Sequence, residues 1–191
     1  MKNRYAVITV DTEALPKRAT GDHVTRLMWG RHAEGSAGIA EMCAIGDEFG
    51  AKHVFFVDQC GAYSYLDETR EVVRWLDAAG QDVQLHTHPE YLPESFWEAH
   101  GLLASPQYMN QYQDDGRAEF VIRHFAGLIS DVTGKPIQAH RAGSFRWNAS
   151  TIRALQAAGI PLSFNNSMCA LHAGQCVFSE PTNHPYRWSN G

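Results

Sequence analysis

Leu76-Asp-Ala-Ala-Gly-Gln-Asp-Val-Gln-Leu-His-Thr-His88 is the stretch on which the fold turns. Residues 67–78 carry Val72, Val73, Trp75 and Leu76 mostly on one side, which predicts a helix, and Ala78-Ala79-Gly80 stops it. Gln81–Leu85 then reads as a short buried strand that Pro89 ends. Helix, glycine break and strand in succession form the unit from which parallel sheets are built. Outward from this stretch the unit repeats. Tyr5–Val10, His53–Val57, Ile137–His140, Ile160–Phe164 and Cys176–Ser179 read as further strands, while 39–49, 119–132 and 149–158 have helical spacing. Residues 14–36 and 90–115 read as long irregular loops. About six strands alternating with helices predict an α/β fold with parallel strands, fewer than the roughly eight of a full (β/α) barrel.

The same stretch carries chemistry. On an extended chain His86 and His88 point the same way, roughly 7 Å apart, and can converge on one metal ion. Pro89 puts the pair at the C-terminal mouth of its strand, where α/β folds build their sites. Two other strand ends carry polar groups that apolar strands do not need: Asp11 with Glu13, and His140 with Arg141. If the strands are parallel neighbours, these ends share one rim. Two histidines and a carboxylate make a catalytic zinc set, and a second carboxylate nearby serves as general base. Plainer readings stand beside these: Asp11 as a turn cap, Arg141 in a surface ion pair. Trp29, Tyr91, Phe96, Trp97 and Trp147 either line a sugar groove or pack the core.

With 191 residues, one domain over 1–191 is expected. The net charge of −5 gives no reason to expect nucleic acid, whose binders carry basic patches. No apolar run approaches the roughly 18 residues of a membrane span, and Met1–Arg4 runs into a strand without a signal-peptide core. Cys43, Cys60, Cys169 and Cys176 form no Cys-x-x-Cys pair, so they read as reduced, mostly buried residues of a cytoplasmic protein, with metal ligation by Cys169 and Cys176 the minor alternative. Nor is there a Gly-x-Gly-x-x-Gly or phosphate-loop pattern.

These motifs resemble the polysaccharide deacetylases of the NodB-homology type, family 4 of the carbohydrate esterases. Val7-Ile-Thr-Val-Asp-Thr-Glu13 is similar to the family's first motif, Lys52-His-Val-Phe-Phe-Val57 to its second strand, and 76–88 to its metal-histidine motif. Thr133-Gly-Lys-Pro-Ile-Gln-Ala-His-Arg-Ala-Gly-Ser-Phe145 resembles the motif whose arginine orients the base, and Leu155-Gln-Ala-Ala-Gly-Ile160 a later helix–strand step. The resemblance implies an incomplete or distorted (β/α) barrel of the seven-stranded type and metal-dependent removal of acetyl groups from an N-acetylated carbohydrate. It implies Asp11 as base, Arg141 as its orienting partner, and Glu13, His86 and His88 as ligands of a divalent ion, with zinc expected. Three departures accompany it. Thr12 and Glu13 stand where the family has an acidic pair. The family spacing puts Glu90, not His88, in the second histidine's place. The late motif that supplies a histidine acid is not reached; His184 is expected to substitute, with His172 and His140 the other histidines available. The domain is expected to lack its last strands, leaving a barrel edge that a loop or a second copy could cover. Competing readings are another metal-dependent hydrolase with a His-x-His site, and a non-catalytic carbohydrate- or metal-binding module.

Overall fold

The computed structural model describes residues 6–18, 21–176 and 187. In chain order it contains β1 (Ile8–Thr12), a π-helical turn (Val24–Met28), β2 (Arg31–His32), β3 (Gly35–Ser36), α1 (Ile39–Glu48), β4 (His53–Asp58), α2 (Leu66–Ala78) and β5 (Asp82–Thr87). There follow α3 (Glu94–Ala99), α4 (Asp115–Thr133), β6 (Ala139–Ala142), α5 (Ala149–Ala157), β7 (Leu162–Ser163) and α6 (Met168–His172). Local chemistry sets the boundaries. The Asp114 carboxylate accepts the Gly116 N–H at 2.8 Å and opens α4. Gly80, at φ 70, makes the left-handed step that ends α2 and lets Gln81 turn back into β5.

β1, β4, β5, β6 and β7 form one parallel sheet in that spatial order, and β2 with β3 make a small antiparallel ribbon. Each strand of the sheet lies beside its predecessor, always on the same side. Right-handed crossovers then put every connecting helix on one face, as in a barrel and unlike a doubly wound sheet. The expected α/β architecture is met as an open, incomplete (β/α) barrel of five parallel strands among the described residues.

Strand alternation divides the two faces. Phe55 and Val57 of β4, Val83 and Leu85 of β5 and Ala142 of β6 join Val72, Val73, Leu76, Val121, Ile122, Phe125 and Leu155 of the helices in the hydrophobic core. The intervening residues take the other face, in register: Asp11 beside Phe56, Asp58 beside His86, and His86 beside Arg141. Buried Gln84 lies on that face too. Its Oε1 accepts the N–H groups of Gln138 and Ala139 at 2.9 and 2.8 Å, tying β5 to the start of β6.

Several expectations are corrected. β1 begins and ends later than residues 5–10, because Asp11 and Thr12 continue the pairing with β4; Asp11 is a strand residue, not one beyond it. The loop expected over 14–36 holds the π-helical turn and the β2–β3 ribbon, and the loop over 90–115 holds α3 and two 3-10 turns. Helix α6 was not foreseen. Of the sixth strand, Cys176 makes one parallel bridge to Trp147, and the remainder lies outside the described residues. Among the described residues no helix is long and apolar enough to cross a membrane.

Candidate metal and catalytic site

The polar strand ends converge. Glu13, just past β1, places Oε2 2.9 Å from Nε2 of His88 and 3.3 Å from Nε2 of His86. Among the described residues these three make the only group of three or more possible ligands close enough to hold one ion. Around a tetrahedral ion with bonds near 2.1 Å, ligand atoms stand about 3.4 Å apart. The Glu13–His86 spacing matches that, and the Glu13–His88 spacing of 2.9 Å is shorter by about half an ångström.

Each imidazole is committed at its far nitrogen. His86 Nδ1 lies 2.7 Å from the backbone oxygen of Arg141, and His88 Nδ1 lies 2.8 Å from Glu90 Oε1. Both acceptors take an Nδ1–H, which in the neutral ring leaves the Nε2 lone pair facing Glu13. Two such lone pairs and a carboxylate oxygen aimed at one point are a donor set for a divalent cation. Without a cation, a proton takes its part. Burial alone would lower the pKa of His88, but its hydrogen bonds to Glu13 and Glu90 and the charge of Asp58 raise it to about 10. Burial likewise opposes ionisation of Glu13, yet the hydrogen bonds and charges of the two histidines hold its carboxyl well below the usual carboxylate range.

Beside this cluster, Arg141 donates from Nη1 to Asp11 Oδ1 at 2.6 Å and from Nη2 to Thr9 Oγ1 at 2.9 Å. Its guanidinium lies over the Phe56 ring, 4.4 Å from the centroid, and Phe56 packs on Phe164 at 5.2 Å. An aromatic floor and two acceptors thus fix the arginine, and the arginine fixes Asp11. Asp11 lies in β1, and Glu13 follows two residues later, just past the strand's end. The Asp11 carboxylate is therefore held by Arg141 and does not belong to the cluster.

Two supporting residues, Asp58 and Gly143, are not singled out by the sequence, and a third, Glu90, takes a different part from the one it suggests. Asp58, at the end of β4, is fully buried; Oδ1 accepts the N–H groups of Cys60 and His88, both at 3.1 Å, and Oδ2 accepts that of Gly61 at 2.9 Å. It is an acid at the end of an apolar strand, the same signal that singled out Asp11. Gly143 packs so closely that a Cβ there would sit 2.3 Å from His88 Nδ1. Ser144 and Phe145 follow it at φ 50 and 53, a left-handed pair that side chains seldom adopt, in the turn leaving β6. Glu90 was considered only as an alternative ligand; it meets the outer nitrogen of His88 instead.

Other candidates lie elsewhere. His140 points to the helix side, fully buried, with Nε2 2.9 Å from Thr87 Oγ1 and Nδ1 3.4 Å from Asn165 Nδ2, so it cannot reach the Glu13 face. His172 ends α6 on the exposed surface, and His184 lies outside the described residues. Of the five aromatic residues, Phe96, Trp97 and Trp147 are core, and half-buried Trp29 packs edge-on against Trp75. Tyr91 alone of the five borders the site, with its ring 5.6 Å from that of His88. The four cysteines are free; Cys43, Cys60 and Cys176 are buried and Cys169 is exposed.

No protein-family model matches the sequence, and no curated protein does so either. Solved structures do match. A putative polysaccharide deacetylase from Mycobacterium smegmatis is similar at a TM-score of 0.54 and 16% identity, over 82% of this chain and 49% of that one. A mutant of a CE4 family pseudoenzyme from Bacillus anthracis is similar at 0.51 and 11%, over 83% of this chain and 43% of that one. The chain spans less than half the length of either structure. At these identities the likeness is one of fold, and it agrees with the fold that the motif resemblance implied.

Proposed function

We propose that this chain is a metal-dependent deacetylase that hydrolyses the acetamide of an N-acetylated carbohydrate. The observation that carries the reading is the convergence of Glu13 Oε2 with Nε2 of both His86 and His88, next to the Asp11–Arg141 pair. Glu13, His86 and His88 would hold the ion, and zinc suits two imidazoles and one carboxylate. Once bound, zinc supplies Lewis acidity, bringing water to a pKa of about 7 and polarising the amide carbonyl.

The remaining work falls to side chains. Asp11, aimed by Arg141, takes the proton of the attacking water as the new C–O bond forms. The C–N bond then breaks, acetate leaves with the acyl carbon, and the sugar amine takes up a proton. We assign delivery of that proton to His184, and His184→Ala tests it through acetate release. The half-buried ring of Tyr91 offers a sugar a flat face beside His88.

A second reading, a carbohydrate-binding module without catalysis, draws on one observation. Among the described residues no third histidine joins the Glu13, His86 and His88 cluster, and His140, next to Arg141 in the chain, is turned to the helices. A pseudoenzyme among the structures of similar fold keeps that reading open. One experiment decides: incubate the zinc-loaded chain with N-acetylglucosamine oligomers and measure free acetate. Acetate release abolished by Asp11→Asn supports hydrolysis. Sugar and metal binding without acetate supports the second reading.

A further inference from the structure

We infer that Glu90 is a positioning residue of the metal centre, not a ligand, and that it acts as the outer partner that holds His88. The inference rests on the metal reading above. Glu90 lies four residues after His86 and two after His88. Its carboxylate turns away from Glu13 and His86. Oε1 lies 2.8 Å from His88 Nδ1, while Nε2 on the opposite side of the same ring faces Glu13. A ligand carboxylate would share the point at which Glu13 Oε2 and the two Nε2 atoms meet; Glu90 is absent from that group.

The placement has a mechanical cause. β5 keeps its extended alternation through Thr87, so residues 86 and 88 project to the same face, whereas Pro89–Tyr91 form a 3-10 turn that swings residue 90 behind the ring. His88 is then held on three sides. The Asp58 carboxylate accepts its backbone N–H at 3.1 Å, Gly143 leaves room for its ring, and Glu90 accepts its Nδ1–H. A carboxylate on the outer nitrogen selects the Nδ1–H tautomer and makes Nε2 the better donor to a cation. Side-chain exposures of 5% for His88 and 9% for Glu90 keep water from competing for that hydrogen bond.

The test uses Co(II) as the probe ion on the full chain, with Glu90→Gln, Glu90→Ala and His88→Ala. Expected are one Co(II) per chain with a tetrahedral absorption band in wild type and in both Glu90 variants, and no stoichiometric site in His88→Ala. Affinity should fall about 10- to 100-fold in Glu90→Ala and less in Glu90→Gln, whose amide oxygen still accepts. The His88 ring nitrogens, read by long-range proton–nitrogen NMR on the zinc form, should shift in Glu90→Ala and return toward wild type in Glu90→Gln, which a merely structural residue would not produce. Loss of stoichiometric Co(II) in Glu90→Ala with retention in His88→Ala would make Glu90 the ligand and overturn the inference. So would unchanged affinity and an unchanged His88 signal in Glu90→Ala. A wild-type chain that takes up no Co(II) refutes the metal reading itself, and the positioning role with it.

Discussion

Asp11 and Arg141, 130 residues apart in the chain, meet at 2.6 Å between the first and fourth strands of the sheet. Arg141 uses two nitrogens on two acceptors, Asp11 and Thr9, and so has a fixed orientation that a single ammonium cannot reproduce. Arg141→Lys should lower acetate release about 100-fold or more while leaving bound zinc unchanged. Steady-state kinetics with metal analysis of the same preparation checks both halves.

The ligand set makes a complementary prediction. His86→Ala and Glu13→Gln should each strip the ion during dialysis, whereas Asp11→Asn should keep it and release no acetate. Zinc content near one per chain in the His86 variant would contradict the ligand assignment.

Much of this was legible beforehand, for a definable reason. Strand ends that carry charge after apolar runs stand out in any sequence, and parallel connection brings such ends to one rim, so the expected neighbourhood of Asp11, Glu13, His86, His88 and Arg141 is met in the structure, while their roles stay a proposal. Period-2 alternation also favoured His88 over Glu90 as the partner of His86. What stayed hidden depends on contacts that periodicity does not encode. Asp58 acts through backbone N–H groups two, three and thirty residues away. Gly143 matters because of a ring 55 residues earlier in the chain, and His140 was misread because its strand face follows from the register with β5. The π-helical turn and α3 lie in stretches whose polar and aromatic residues give no clean helical period.

Asp58→Asn is a test of such a contact. The amide would turn one donor toward backbone N–H groups that now meet only acceptor oxygens. Loss of about 2–4 kcal/mol in urea unfolding is expected, together with weaker metal binding through the freed backbone of His88.

Gly143→Ala should push its new methyl group into the His88 ring, since the Cβ would stand 2.3 Å from Nδ1. The neighbouring left-handed residues Ser144 and Phe145 leave the turn little room to retreat. Zinc affinity should fall at least 10-fold by competition with a chelator, with the far-UV spectrum retained.

His140 makes stability depend on pH. Burial, and then the charge of His86, push its pKa down to about 3, against about 6.5 when unfolded. The unfolded chain therefore binds the proton first. This contribution to stability is complete above pH 6.5 and is lost as pH falls toward 3. Between pH 6.5 and 4.5 the loss is about 2–3 kcal/mol. His140→Gln, less stable than wild type at pH 7.5, should lose much of that deficit at pH 4.5 in urea titrations.

The oxygen that steadies His86 is main chain, and this has an evolutionary consequence. Any amino acid at position 141 supplies the same carbonyl, so the imidazole keeps its orientation whatever side chain follows. On the proposed function, a single codon change there silences hydrolysis and spares the cation, leaving a receptor in one step. Reversal is as short, since the strand that carries the missing guanidinium never has to be rebuilt.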